Sequence, residues 1–292
     1  MPVDGRARSA AAILRYAAFT DNPAGGNPAG VVLDASALSE GDRLAIAADL
    51  GYSETAFLTR QRSSASGEYD VRYFSPQAEV PFCGHATIAA AVALAEREGP
   101  GHLVFHIRAG TVLVTTRKDT AGAVTASLTS VTPSVGDVAA ADVDAALAAL
   151  CWRRAELDAS LPPKIAYAGA RHLILAAASR DRLARLDYDF DALRTFMLSR
   201  DLTTVDLVFE AGNCLFHARN PFPVGGVYED PATGAAAAAF GAYLRELGRV
   251  PAPAQVSIQQ GDDMGRPSRI TIDIPAGDGP ITVTGRAVPI QG

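Results

Sequence analysis

Short segments in which apolar and polar residues alternate occur along most of the chain. Such alternation predicts β-strands, because successive side chains of a strand point to opposite faces of a sheet. The segments follow one another with short, glycine-containing turns between them, which is typical of antiparallel sheets. The pattern therefore predicts an α+β fold with mostly antiparallel strands. The clearest strand candidates are ILRYAAF, YDVRYFS, TVLVTT, HLILAAA, VDLVFE and SRITIDI.

Two Ala-rich segments, residues 86–95 and 235–244, carry no charged residue on any face. A helix that is apolar on all sides is a buried helix. We therefore expect each segment to form a central helix around which a sheet wraps. A further helix is predicted after Ser39, because an acidic residue three positions later, Asp42, is typical of a helix start.

An internal repeat relates the two Ala-rich helices. The segment EVPFCGHATIAAAVALAERE begins at Glu79, and EDPATGAAAAAFGAYLREL begins 150 positions later at Glu229. In this alignment Gly84 meets Gly234. The repeat predicts two pseudo-symmetric α+β domains. Their expected bounds are residues 1–130, completed by a C-terminal strand at residues 279–292, and residues 131–278.

Composition and charge limit the classes of partner. The chain has 292 residues and a formal net charge of −6, and no run of Lys and Arg occurs in it. Nucleic acids are bound through clustered Lys and Arg, so we expect no nucleic-acid partner and favour a small substrate. No uncharged window is long enough to span a membrane, so we expect no membrane association and a cytoplasmic location.

The three cysteines, Cys83, Cys151 and Cys214, have no CxxC spacing, which argues against a metal site and for reduced thiols. Residues 1–20 are interpreted as leading into a first strand rather than as a signal peptide. Segments rich in turn-forming or small polar residues are interpreted as loops or linkers. These segments are TDNPAGGNPAG, QRSSASGE and TPSVGDVAAADVD, and a helix is predicted after the last of them, at VDAALAAL.

Each Ala-rich helix is preceded by a Pro and a Gly, and its first turn leaves backbone N–H groups without partners. These groups carry an effective charge of about +0.5 and bind carboxylate or phosphate. If a two-fold rotation relates the domains, both helix starts face one interdomain cleft. Alternatively, Gly84 and Gly234 only permit the turn into a buried helix.

Three titratable residues are candidates for chemistry near these helix starts. Glu54, in SETAF, lies before an apolar strand where its pKa is tunable, as a general acid/base requires. His85 follows Gly84, and the helix dipole there favours a neutral imidazole. Asp230 occupies the matching loop of the second repeat. The alternatives are a strand end or cap for Glu54, a core histidine for His85 and a helix cap for Asp230.

Five motifs resemble, in order and spacing, the PhzF-like family of phenazine-biosynthesis isomerases, which shares the diaminopimelate epimerase fold. The resemblance covers nearly the whole chain. It implies two pseudo-symmetric α+β domains with the active site between them, no cofactor and no metal, and a homodimer. The motifs are FTDNPAGGNPAGVVLDA, SETAF, RYFSPQAEVPFCGHAT, EDPATGAA and QGDDMGRPSRI.

The resemblance also implies roles for individual residues. Glu54 is the expected acid/base, which moves a proton between carbons of a small carboxylate-bearing substrate. His85 and Asp230 are expected to hold the substrate and to assist the proton transfer. Ala235 stands where the phenazine enzymes have Ser in DPxTGSA, so one hydroxyl contact is missing and the substrate stays open. The expected substrate-binding residues are Asn27, Cys83, Gly84, Gly234 and Ala235.

Two other functions remain as alternatives. Glu54 and Cys83 could form the two bases of a racemase or epimerase, or serve a dehydratase. A pair of thiols is not supported, because the second repeat has Thr233 where the first has Cys83. A non-catalytic protein could also use the two helix starts to bind an acidic metabolite, and it would not need Glu54.

Overall fold

The computed structural model describes residues 11–61 and 67–291. Residues 1–10 of the opening segment and residues 62–66 of the predicted polar loop lie outside the described residues, as does residue 292. The chain divides into two compact units, Met1–Thr129 with Thr284–Gly292 and Ser130–Val283. Within the described part, no helix is long and apolar enough to cross a membrane.

Strands and helices follow each other in a similar order in the two units. In the first unit the elements are β1 (Ile13–Ala18), β2 (Asn27–Val32), α1 (Glu40–Leu50), β3 (Glu54–Arg60), β4 (Glu68–Phe74), β5 (Glu79–Val80), α2 (Gly84–Glu98), β6 (His102–Ile107), β7 (Gly110–Lys118) and β8 (Val124–Thr129). The next elements are β9 (Ser134–Asp137), α3 (Ala140–Ala149), β10 (Lys164–Tyr167), β11 (Arg171–Ala176), α4 (Arg180–Ala184), α5 (Phe190–Ser199), β12 (Thr204–Gly212), β13 (Leu215–Pro221), β14 (Glu229–Asp230), α6 (Gly234–Glu246), β15 (Ala254–Gln260), β16 (Ser268–Ile274) and β17 (Thr282–Pro289).

Eight strands of the first unit close into a barrel, in the order β1-β2-β3-β4-β6-β7-β8-β17 and back to β1. The β1/β2, β3/β4, β6/β7 and β7/β8 pairs are antiparallel. The β2/β3 and β4/β6 pairs are parallel. Parallel neighbours need a crossover connection, and α1 and α2 supply the two crossovers.

Helix α2 fills the interior of this barrel. Eleven of its residues, from His85 to Ala95, are buried in succession, and the helix contacts β1, β2, β3, β7 and β8. Small alanine side chains let strands approach the helix closely on every side, and burial of apolar surface stabilises that packing. The predicted central helix is confirmed.

The second unit repeats this topology. The β10/β11, β12/β13 and β15/β16 pairs are antiparallel, and the β11/β12 and β13/β15 pairs are parallel. Helices α4 and α5 connect the first parallel pair, and the buried α6 connects the second. Helix α6 contacts β9, β10, β11 and β16. The predicted α+β fold, with mostly antiparallel strands around a central helix, is confirmed.

Three parts of the structure differ from the sequence interpretation. Strand β2 begins at Asn27, inside a segment interpreted as a loop, because residues 27–32 pair with β1 along their whole length. Strand β9 lies in the predicted turn-rich bridge and pairs with β10. Helices α4 and α5 were not among the predicted helices. The buried residues Leu193 and Met197 of α5, four positions apart, belong to a core cluster of the second unit.

Candidate active site

Glu54, Cys83 and His85 lie in contact in the first unit. The parallel register of β2 and β3 places Glu54, the first residue of β3, beside Ala29. Cys83 is the N-cap residue of α2, and His85 lies in its first turn. Nε2 of His85 is 3.4 Å from Oε2 of Glu54, and the Cys83 thiol donates to the same oxygen over 3.5 Å. The barrel thus joins residues that lie 29 positions apart.

Burial differs between the two titratable partners of this cluster. The side chain of His85 is 6% exposed, whereas that of Glu54 is 16% exposed. Burial lowers the pKa of His85 below its usual value, and the nearby Glu54 carboxylate opposes this effect only in part. The imidazole is therefore neutral at neutral pH. The sequence predicted a neutral His85 from the helix dipole, but the largest cause in the structure is burial.

Asn27 and Ser53 orient the His85 ring. The side-chain amide of Asn27 places Nδ2 3.1 Å from Nδ1 of His85, inside the protein. An amide nitrogen can only donate, so Nδ1 accepts and the proton of the neutral ring lies on Nε2. Nε2 in turn faces Glu54 and lies 3.4 Å from the Ser53 hydroxyl. The imidazole can therefore donate a hydrogen bond where the carboxylate lies.

The start of α6 in the second unit carries no equivalent cluster among the described residues. Its N-cap residue is Thr233, whose hydroxyl donates to the Asp230 carboxylate over 2.6 Å. Gln260, which is buried, donates from Nε2 to the Asp230 carbonyl over 2.7 Å and accepts from the Thr233 backbone N–H over 3.1 Å. The side chain of Gln260 thus fixes the turn that leads into α6.

A Glu–Arg ion pair holds the short strand before each central helix. In the first unit Nε of Arg72 donates to Oε1 of Glu79 over 2.6 Å. In the second unit Nε of Arg219 donates to Oε1 of Glu229 over 2.8 Å, and both side chains are buried. The repeated glutamate is therefore an anchor of the turn rather than a free acid. The alignment of the repeat shows these glutamates, but it does not show their arginine partners.

The predicted site residues fall into two groups. Asn27, Glu54, Cys83 and His85 form one contact chain in the first unit, and Gly84 is the first residue of α2. The second unit holds Asp230 on β14, with Gly234 and Ala235 in the first turn of α6. The sequence interpretation gave no role to Ser53 or Gln260, although both lie inside quoted motifs, SETAF and QGDDMGRPSRI.

Both helix starts are suited to an anion. Neither the α2 nor the α6 N-cap side chain makes a capping hydrogen bond, and neither first turn contains an acidic residue, as far as the described residues show. The first-turn N–H groups are thus not used by a cap, and they favour negative charge.

Residues 16–292 match the sequence model of the family of phenazine biosynthesis-like proteins. The chain belongs to this family. The predicted family resemblance is thereby confirmed, and the match runs from within β1 through β17, with both central helices and both groups of candidate residues.

Characterised and uncharacterised members of the family are similar over most of their length. A trans-2,3-dihydro-3-hydroxyanthranilate isomerase from Pseudomonas chlororaphis is 32% identical over 251 residues, which is 86% of each chain. An uncharacterised isomerase from Bacillus subtilis is 30% identical over 288 residues, 95% of this chain and 96% of the relative. A crystal structure of a PhzF-family protein from Bacillus anthracis has a TM-score of 0.84, 26% identity and 96% coverage of both chains. The protein is an isomerase of the PhzF family, which confirms the predicted class of enzyme.

Proposed function

We propose that this isomerase moves a proton between two carbons of a small carboxylate-bearing substrate without a cofactor, with Glu54 as the acid/base. The observation that carries the proposal is the contact of the partly exposed Glu54 carboxylate with the buried, neutral imidazole of His85, 3.4 Å away. A partly exposed carboxylate beside the first turn of α2 can reach a substrate carbon, and the imidazole can hold the carboxylate in place.

The proton balance of this reaction closes on Glu54 alone. The carboxylate takes a proton from one carbon, and the electron pair of the broken C–H bond moves into the conjugated system of the substrate. The resulting negative charge is stabilised by donors that are already oriented, namely the first-turn N–H groups of α2 and the Nε2–H of His85. The protonated Glu54 then returns the proton at another carbon, and the enzyme regains its starting state.

A further part of the proposal concerns substrate contacts made by the second unit. Asp230 and the first turn of α6 are the groups of this unit that we propose to contact the substrate. The hydrogen bond from Thr233 to Asp230 and the buried Gln260 support a fixed, polar surface at this helix start.

The two-base alternative gains no support from the geometry. Two bases that act on opposite faces of one carbon need that carbon between them. Sγ of Cys83 lies 3.5 Å from Oε2 of Glu54 and donates to it, so this pair leaves no room for a carbon. Cys83 is better suited to orienting the carboxylate than to acting as a second base.

Deuterium uptake tests the proposal. The protein is incubated in D2O with a panel of small unsaturated carboxylates, beginning with trans-2,3-dihydro-3-hydroxyanthranilate, and exchange or isomerisation is followed by NMR. We expect exchange in wild type and its loss in Glu54→Gln. Binding of a compound by both proteins with no exchange by wild type would contradict the proposal and favour the binding-protein alternative.

A further inference from the structure

Phe19, the residue that follows β1, has a left-handed backbone conformation. Its φ is 62°, and its side chain is fully buried. A bulky residue in this conformation is strained, so surrounding contacts must hold it there. The turn that begins at Phe19 ends at Gly26, whose φ is 64°. Glycine suits that position, since a Cβ there would lie 2.4 Å from the Ala18 carbonyl oxygen. Phe19, in contrast, needs a contact that offsets its strain.

Strand β17 holds Phe19 both by its backbone and by its ring. The Phe19 N–H donates to the carbonyl oxygen of Arg286 over 2.7 Å. The ring lies against Gly285, so closely that a Cβ built on Gly285 would be 2.3 Å from Cδ1 of the ring and 2.7 Å from Cε1. The φ of Gly285 lies outside the left-handed range. The glycine at this position is therefore required by the ring and not by its own backbone.

The same turn sets the position of Asn27, the first residue of β2. Asn27 pairs in the β1/β2 ladder with Ala18, the neighbour of Phe19. Its buried side chain places Nδ2 3.1 Å from Nδ1 of His85. Nε2 of the same imidazole lies 3.4 Å from Oε2 of Glu54. A continuous chain of contacts therefore leads from β17 to the candidate acid/base.

We propose that Phe19, packed on Gly285, is a positioning residue of the isomerase. Its ring holds the turn that fixes Asn27, and the Asn27 amide keeps the imidazole proton on Nε2 of His85, where it faces the carboxylate. The effect on the reaction rests on the proposed function of Glu54, whereas the effect on the imidazole proton does not. A displacement of about 1 Å caused by a remote change can lower a rate about a hundredfold.

Gly285→Ala tests this contact from outside the candidate site. The added methyl group forces the ring to move, while the backbone of residue 285 accepts alanine. Nitrogen-15 spectra at neutral pH, with the His85 signals assigned by His85→Gln, show which ring nitrogen carries the proton. We expect a protonated Nε2 and a bare Nδ1 in wild type, and a mixture of both tautomers in Gly285→Ala. Deuterium exchange per folded molecule should fall about ten- to a hundredfold, through kcat rather than KM.

A shorter side chain at residue 19 should rescue this variant. Leucine leaves room for the methyl group, so Phe19→Leu/Gly285→Ala should regain the single tautomer and most of the exchange rate. Gly136→Ala is the matched control, because residue 136 is also a strand glycine and a Cβ there has nothing within 4 Å. It should match wild type in both measurements.

Circular dichroism shows whether each variant folds. If Gly285→Ala does not fold, Phe19→Leu alone loosens the same contact and should show the same two changes to a smaller extent. A purely structural role would lower the unfolding free energy of these variants but leave the tautomer and the exchange per folded molecule unchanged. That result would overturn the proposal, as would a double variant that resembles folded Gly285→Ala.

The two measurements also separate this inference from the proposed function. If wild type exchanges no compound, the proposed function fails, and the imidazole spectra still decide whether Phe19 fixes the tautomer. If wild type exchanges a compound and folded Gly285→Ala exchanges it at the same rate, this inference alone fails.

Discussion

The starts of the two central helices, α2 and α6, are copies of one turn with different chemistry. Each follows a two-residue strand whose glutamate pairs with an arginine, and each begins at a glycine without a side-chain cap. Cys83 and His85 flank Gly84 in the first copy, whereas Thr233 and Ala235 flank Gly234 in the second.

The strand beneath each helix start differs in the same way. In the β2/β3 ladder Ala29 pairs with Glu54, and in the matching β11/β12 ladder His172 pairs with Thr204. Thr204 is buried, lies 2.7 Å from Nδ1 of His172 and donates to Asn220 over 2.7 Å. The first unit thus has an accessible acid where the second has a buried hydroxyl. The comparison teaches that the repeat conserves the scaffold and the helix start, while the titratable cluster occurs in one copy.

Glu54→Gln and Thr204→Val give the largest expected effects, and they test whether the acid/base lies in the first unit while the matching residue of the second unit is structural. Loss of a positioned acid/base lowers rates by about 10²–10⁴, so deuterium exchange by Glu54→Gln should fall by that factor. Thr204→Val should cost about 1–3 kcal/mol of unfolding free energy, because His172 and Asn220 lose a buried partner, and it should leave exchange per folded molecule unchanged. Equal loss of exchange in both variants would contradict the comparison.

The two Glu–Arg anchors should differ in their contribution to stability. Arg219→Met leaves Glu229, whose side chain is 3% exposed, without its charged partner. Breaking a buried pair in this way costs about 3–5 kcal/mol. Arg72→Met should cost about 1 kcal/mol or less, because Arg72 is 32% exposed and Arg108 lies 2.7 Å from Glu79 as a second partner.

Urea unfolding of the two arginine variants and of wild type measures this difference. The double variants Arg219→Met/Glu229→Gln and Arg72→Met/Glu79→Gln serve as controls, because they remove both charges of a pair. Most of the loss in Arg219→Met should be recovered when Glu229 is also neutral. Equal losses in the two single variants would show that the anchors do not differ.

The second unit has a buried acid, Asp206, at the position that matches Ala56 of the first unit. Burial raises the pKa of Asp206 to about 7, and the hydrogen bond from Asn220 opposes this only in part. The first unit has the uncharged Ala56 opposite Tyr73. In the unfolded chain Asp206 has its usual pKa of 3.8. The folded state therefore binds the proton more tightly, and stability falls as pH rises from about 4 to about 7.

Asp206→Asn should remove this dependence on pH. The variant keeps an oxygen that can accept from Asn220 but has no proton to lose. Its unfolding free energy should match wild type near pH 4 and exceed it at pH 8 by on the order of a few kcal/mol. Urea unfolding at several pH values measures both curves. Parallel curves would show that Asp206 does not carry this pH dependence.

The sequence predicted the repeated fold because its two uncharged Ala-rich segments require burial. A helix formed by a segment such as residues 86–95, which is apolar on every face, must be buried. Two copies of this segment therefore predict two similar sheets, one around each helix. Strand β9 and the first residues of β2 were not predicted. These residues form strands because they pair with β10 and β1, respectively. Segments rich in Pro and Gly contain no local pattern that predicts this pairing.

The candidate site was predicted only as separate residues. The sequence drew attention to Glu54, Cys83 and His85, but their contact depends on the register of β2 and β3. Ser53 and Gln260 acquired their roles from tertiary hydrogen bonds that no spacing shows.

Ala235→Ser sharpens the comparison at the position where the second helix start lacks a polar side chain. Ala235 is partly exposed in the first turn of α6, so a serine hydroxyl there can reach a ligand without entering the core. One new hydrogen bond contributes about 0.5–1.5 kcal/mol, so kcat/KM for the carboxylate substrate that the deuterium test identifies should rise roughly two- to tenfold. Stability should change by no more than about 0.5 kcal/mol, as for other surface substitutions. Ala235→Val is the control, because it adds bulk without a hydroxyl. An equal response of Ser and Val, measured as kcat/KM by NMR, would show that the hydroxyl is not what this helix start lacks, and that specificity is set by other residues of the site.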